Sequence, residues 1–351
     1  MPPSELGTWT HEAGNTRNTW STDDRQVKPP LGVLWFGGSI DRHFQPPWDY
    51  AHYRNPYPVF SDGRMYILAG NRVHAMDIYT GTHLWTTSTP ETAKTRRRRT
   101  YHRKFSRPWA CNIIAQDDFL YVFDGAECLL LRPDTGQVAD RLRLPAEYRR
   151  DSDARWQEVR IAGNKVYASI GTDLACLDRH SGELLWRHEG SRKRVSFVVG
   201  EGRVFCVDYY PPLGPGQSRR GGQEAVLYAL NTSGGSQLWR RPLEVPAAGE
   251  GHKKKAAREF KSSVLTLKPL LAYSAAHDLV IAIVNRKNLH ACSAEDGSRA
   301  WVHETAGPWQ RRSIFTLSPP VVLKDRLILD SGRMLRLSTG DRCGTSNTSP
   351  Y

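Results

Sequence analysis

The chain has 351 residues, 39% of them hydrophobic, and a net charge of +13. A mean hydropathy of −0.55 and the lack of a long apolar run exclude a transmembrane helix. The opening MPPSELGTWTHEAGNT has neither a charged leader nor an apolar stretch and does not read as a signal peptide. The chain is expected to be cytoplasmic if Met1 is its true start, and exported if it is a piece of a larger protein.

Residues 1–30 read as an irregular lead holding Trp9 and Trp20. Residues 31–35, LGVLW, form a short strand pattern with no partner strands before it. Residues 36–58 are rich in proline and aromatics and contain Asp41, Arg42, His43 and Trp48. They are expected to be a loop across a ring mouth, either packed there or in contact with a ligand or partner.

Residues 63–85, GRMYILAGNRVHAMDIYTGTHLW, form a unit that organises the rest of the chain. Two short apolar strands lead to a Thr80-Gly81 turn, and a third strand closes at Trp85. Glycine supplies the positive φ that a tight turn needs. The pattern returns with turn glycines at Gly136, Gly182, Gly235, Gly297 and Gly340, spaced 43 to 62 residues apart. The closing tryptophan returns as Trp186, Trp239 and Trp301. One such unit cannot bury its own faces, so a recurring unit of this length predicts an all-β propeller of four-stranded antiparallel blades.

A strand followed by A-x-D-x-x-T-G-x-x-L-W resembles the repeat of PQQ-like, quinoprotein-type β-propellers, which BamB-type outer-membrane assembly proteins share. The resemblance runs over residues 31–341. It divides the chain into a lead of 1–30, a propeller of 31–344 and a tail of 345–351. The last repeat shows no Leu-Trp strand after Gly340, whereas residues 31–35 are such a strand without a repeat. Six blades are therefore expected, with residues 31–35 as the outer strand of the last one. The alternative is an incomplete seven- or eight-bladed ring.

Nearly all the excess charge lies in two connections. Residues 94–107 carry eight Lys or Arg and no acid, among them Arg96, Arg97, Arg98, Arg99, Arg103 and Lys104. Residues 240–261 carry seven Lys or Arg and three acids, and include Lys253, Lys254 and Lys255. Loops alternate between faces, and with the blade-to-blade connections read as sharing a face with the Thr-Gly turns, both basic connections lie on one face and the Pro/Gly-rich insertion 209–224 on the opposite one. A basic face of this kind attracts polyanions or acidic protein surfaces.

The residues themselves mark no catalytic site. The histidines show no H-E-x-x-H or H-x-H spacing, and there is no G-x-S-x-G elbow or phosphate loop. His74 and His290 fall at equivalent strand positions and read as core residues. Asp77 and Asp178 precede the turns and read as turn caps. Four of the six cysteines fall in apolar strand patterns, which predicts buried free thiols. The resemblance implies PQQ as a cofactor with calcium, but its usual adjacent Cys-Cys pair is missing here. No cofactor is expected. The leading expectation is a non-catalytic propeller serving as a scaffold for an unknown protein partner, monomeric or part of a larger polypeptide. A quinoprotein-like oxidoreductase, or a subunit of one with a divergent site, is the alternative.

Overall fold

In each repeat the apolar strands are too short to bury both faces alone, and antiparallel pairing gathers them into sheets. The computed structural model describes residues 7–24, 58–69, 72–89, 113–151, 154–190, 196–210, 224–243, 270–283, 288–304, 320–329 and 332–345. The first sheet comprises β1 (Val59–Ser61), β2 (Arg64–Ala69), β3 (Arg72–Asp77) and β4 (His83–Ser88). The second has β5 (Ile113–Ala115), β6 (Leu120–Asp124), β7 (Glu127–Leu131) and β8 (Val138–Arg143). The third has β9 (Trp156–Ala162), β10 (Lys165–Ile170), β11 (Asp173–Asp178) and β12 (Leu184–Glu189). The fourth has β13 (Ser196–Gly200), β14 (Arg203–Tyr210), β15 (Glu224–Asn231) and β16 (Gln237–Leu243). The fifth has β17 (Leu270–Ser274), β18 (Leu279–Ile283), β19 (Asn288–Ser293) and β20 (Arg299–Glu304). The sixth has β21 (Val321–Val322), β22 (Arg326–Ile328), β23 (Arg333–Arg336) and β24 (Arg342–Thr345). In every sheet the strands lie side by side in chain order. This is the expected propeller architecture.

Two compact units emerge: residues 1–16, 22–171 and 175–185 form one, and residues 17–21, 172–174 and 186–351 the other. Within the first, the second sheet shows why its strands read as unbroken apolar runs. Leu120, Val122, Leu129 and Leu131 pack with Val59, Tyr66, Val73 and Trp85 of the first sheet. Tyr121, Phe123, Cys128 and Leu130 turn the other way, to Trp156, Val159, Ile161 and Ala175. A two-residue side-chain period thus feeds two cores from one strand. The fifth sheet does the same in the second unit. Tyr273, Val280 and Ala282 join Phe205 and Leu227, while Ile281, Leu289 and Ala291 join Leu327 and Leu335. Each such buried Val, Leu or Phe contributes about 1.5–3 kcal/mol.

Two expectations are corrected. The sixth sheet carries its own fourth strand, β24, with Met334 opposite Gly344 and Leu335 opposite Arg342. That edge is therefore filled from within the repeat, although the strand lacks the Leu-Trp mark. Residues 31–35 lie outside the described residues. The second correction concerns parity. In each sheet four antiparallel strands follow in chain order, so the connection after the fourth leaves from the same end as the loop between the second and third. The Thr-Gly turns join third to fourth strands, at the end opposite the connection to the next repeat. In the fourth sheet Tyr210 pairs with Glu224, and Ala225 with Leu243. The insertion between β14 and β15 and the connection after β16 therefore leave from the same end of that sheet, not from opposite ends.

Candidate functional site

The first strand of each sheet is hydrogen-bonded on one side only, by the second strand. Its other edge would present unpaired backbone groups, which are costly when buried. The N-terminal lead meets this need. In the first unit, Phe60 N–H donates to Trp9 O at 2.8 Å and Ala115 N–H to Thr10 O at 3.0 Å. Ile161 N–H donates to the His11 ring nitrogen Nε2 at 3.1 Å. In the second unit, Tyr273 N–H donates to Arg17 O at 2.9 Å and Val322 N–H to Thr19 O at 2.7 Å. Asn18 Nδ2 donates to Leu271 O at 3.1 Å, and Ser21 Oγ to Val322 O at 2.6 Å. One backbone N–H from each of five first strands is thereby taken up by an eleven-residue run.

The chemistry beside this edge is polar and buried. Glu158 and Arg160 sit two apart on β9, so both side chains project from one face. Arg160 Nη2 lies 2.9 Å from Glu158 Oε1, with both side chains under a tenth exposed. Arg160 Nη1 donates to Val159 O at 2.7 Å. Burial, reinforced by the Arg160 charge, lowers the His11 pKa to about 3. Its ring is therefore neutral. Because Nε2 accepts from Ile161, the proton belongs on Nδ1, which faces Thr10 Oγ1 at 2.8 Å. A histidine so far from neutral pH acts as a hydrogen-bond post rather than as a general base. Sequence reading missed His11, Glu158 and Arg160. The available signal was a pair of charges, Glu158 and Arg160, inside an otherwise apolar strand.

The repeat residues form a second recurrent arrangement. Gly81, Gly136, Gly182, Gly235, Gly297 and Gly340 all have φ near +70°. Each donates its N–H to the carbonyl four residues earlier, as Gly81 does to Asp77. Asp77 Oδ1 accepts from the N–H groups of Tyr79 and Thr80, and Asp178 Oδ1 from those of His180 and Ser181. Those backbone bonds, Thr80 foremost for Asp77 and Ser181 for Asp178, hold both carboxyls below the usual range. Asn231 takes the same role in the fourth repeat, bonded to Ser233. Trp85, Trp186, Trp239 and Trp301 are buried. Each indole N–H reaches the next turn: Trp85 to Pro133 O at 3.0 Å, Trp186 to Thr232 O at 3.0 Å, Trp239 to Ala294 O at 3.0 Å and Trp301 to Leu337 O at 2.7 Å.

His74 and His290 are buried, and His74 Nδ1 lies 3.0 Å from Thr86 Oγ1. Among the described thiols Cys128, Cys176, Cys206 and Cys292 are buried and unpaired by disulfide, while Cys343 is exposed. Burial raises all four buried thiols, Cys176 to about 12 and Cys292 to about 11. They are protonated at neutral pH and are poor nucleophiles. Asp41, Arg42, His43 and Trp48 lie outside the described residues, as do Arg96, Arg97, Arg98, Arg99, Arg103, Lys104, Lys253, Lys254 and Lys255. Among the described residues no group of three or more His, Cys, Asp or Glu is arranged to hold a metal, and no helix is long and apolar enough to cross a membrane.

The PQQ-like repeat family described as outer membrane protein assembly factor BamB matches residues 48–210 and again 171–344. The chain belongs to this family. No curated protein matches it. Among solved structures, BamB from Moraxella catarrhalis is similar at 14% identity, over 80% of this chain and 69% of its own, with a TM-score of 0.46. The computationally designed Ika8 protein is similar at 13% identity, over 83% and 74%, with a TM-score of 0.53. Quinohemoprotein alcohol dehydrogenase from Comamonas testosteroni is similar at 13% identity, over 95% and 72%, with a TM-score of 0.47. At such identities a likeness speaks for fold alone. For this PQQ-like propeller, the residues that carry the family pattern are the turn glycines and the tryptophans.

Proposed function

We propose that this PQQ-like propeller is a non-catalytic interaction scaffold whose basic connections engage an acidic protein surface. The observation that carries the reading is the use of the lead. Its residues 9–11 and 17–21 occupy the free edges of β1, β5, β9, β17 and β21 with the chain's own hydrogen bonds. The groups beside that edge are a neutral histidine and an internally matched Glu158–Arg160 pair, which favours a strut over an acid–base site. The family's description as an assembly factor supports the same reading. The basic runs 94–107 and 240–261 then supply the attraction, which is electrostatic and falls with salt.

The test has two arms on the full chain. Labelled poly-glutamate is titrated at low and physiological salt against the parent and against a variant with Arg96–Arg99 and Lys253–Lys255 changed to Ser. Salt-dependent binding that the variant loses is the expected result, and equal binding overturns the basic-face reading. In the second arm, PQQ with calcium is added and the absorbance spectrum recorded. A stoichiometric spectral change would overturn the non-catalytic reading.

A further inference from the structure

The junction between the second and third sheets lacks what the other described junctions have. At four turns a Cβ added to the glycine would collide with an indole. The nearest Trp85 atom would be 2.4 Å from a Gly136 Cβ, and Trp186, Trp239 and Trp301 atoms would each stand 2.6 Å from those of Gly235, Gly297 and Gly340. At Gly182 the nearest described atom is a Leu142 methyl carbon at 3.5 Å, then Arg143 O at 4.0 Å. The residue opposite Leu130 on β8, where the pattern calls for tryptophan, is Asp140. Its side chain is exposed, and its Oδ1 accepts from the N–H of Arg141 at 2.7 Å.

We infer that this junction is a docking slot for a tryptophan side chain presented by a partner polypeptide. The filled junctions define the occupant. They show an indole lying on the turn glycine and donating Nε1–H to the carbonyl three residues before it. At the third repeat that carbonyl belongs to Arg179. The turn has the same build as the others, with Gly182 at φ 71° and its N–H on Asp178 O at 3.0 Å. The floor is apolar, with Leu142 buried and Leu184 packed on the same core. Val138, 41% exposed on β8, extends the apolar surface. Asp140 adds a carboxylate at the rim, which favours a cationic residue beside the incoming tryptophan. An aromatic anchor in an apolar slot with one buried hydrogen bond is the usual core of a protein interface. The inference rests on the scaffold reading but uses none of its basic residues, so either can fail alone.

The test uses the full chain with N-acetyl-L-tryptophanamide as probe and N-acetyl-L-leucinamide as control. In 13C-methyl spectra the Leu142 methyls, assigned through Leu142→Ile, should shift upfield on adding the indole and stay in place with the control. Asp140→Trp, which fills the slot from within, should weaken probe binding at least about tenfold, whereas Asp140→Ala should retain it. Unmoved Leu142 methyls in the parent overturn the proposal whether or not the tryptophan variant folds. Equal binding by parent and a folded Asp140→Trp variant overturns it too.

Discussion

The six-membered face of the Trp85 indole lies where any side chain at position 136 would have to begin. A Cβ on Gly136 would stand 2.4 Å from Trp85 Cε3 and 2.6 Å from Thr87 Oγ1. Gly136 also has a φ of +71°, so the position excludes side chains twice, by space and by backbone.

That double exclusion yields a graded series. Gly136→Ala should cost about 2–5 kcal/mol, combining left-handed strain with overpacking. Gly182→Ala has the same φ but a nearest neighbour at 3.5 Å, so only the strain of about 1–2 kcal/mol remains. Urea denaturation of both variants checks this. Equal losses would mean that the indole yields.

Trp186→Ala should destabilise by about 3–5 kcal/mol, the range for emptying a buried aromatic site. Trp186→Phe retains a ring but removes the bond to Thr232 O, and should lose about 1 kcal/mol beyond any packing change. A loss near zero for the alanine variant would contradict the buried position of this indole.

The buried ion pair makes a third case. Glu158→Gln leaves the Arg160 guanidinium without its carboxylate at 2.9 Å, and should cost about 3–5 kcal/mol. The double variant Glu158→Gln/Arg160→Met should be less destabilised than the single one, since it removes the stranded charge. If the double variant is worse by the sum of its parts, the pair is not coupled.

Stability should depend on acid through His11. The folded ring has a pKa of about 3, against 6.5 as the ordinary value. From pH 6.5 down to 3 the unfolded chain binds a proton that the folded chain refuses, so this contribution to stability is lost as pH falls. Above pH 6.5 it is flat. The slope is at most about 1.4 kcal/mol per pH unit from this one group. His11→Gln keeps an acceptor for Ile161 N–H but cannot ionise, so its denaturation midpoint should fall less between pH 7 and pH 4.5. Identical pH profiles for variant and parent would show that His11 is not held neutral.

Thiol chemistry offers the simplest measurement. In a Cys111→Ser background one thiol, Cys343, should react quickly with Ellman's reagent, and four more only after unfolding. Adding Cys343→Ser should abolish the fast phase. A fast phase that survives would place another thiol at the surface.

Much of this fold was written locally. A glycine four residues after a carbonyl, with an Asp or Asn to cap it and a Leu-Trp after it, reports a turn and an outer strand whatever surrounds them. Short first strands carry no such mark. Val59–Ser61 and Val321–Val322 have three and two residues, too few to show a period, and their outer edges are met by Trp9 and Thr19 far away in the lead. Setting the blade-to-blade connections on the face of the Thr-Gly turns, one strand length from where they leave, put the 209–224 insertion at the wrong end. Arg342–Thr345 escaped notice because its tryptophan position holds Gly344. His11 and the Glu158–Arg160 pair were equally illegible, since their meaning depends on burial against a segment some 150 residues away.

The lead also fixes an order of events. The Ser21 hydroxyl donates to Val322 O, 301 residues further along the chain. Synthesis at about 5–20 residues per second keeps those groups apart for at least about 15 seconds. During that interval Trp9, Thr10 and His11 can already cover β1, β5 and β9, while β21, the partner of Thr19 and Ser21, is still to be made. The lead can therefore close onto β21 only after its bonds to β1, β5 and β9 have become possible, so the sheets gain their edge cover in chain order.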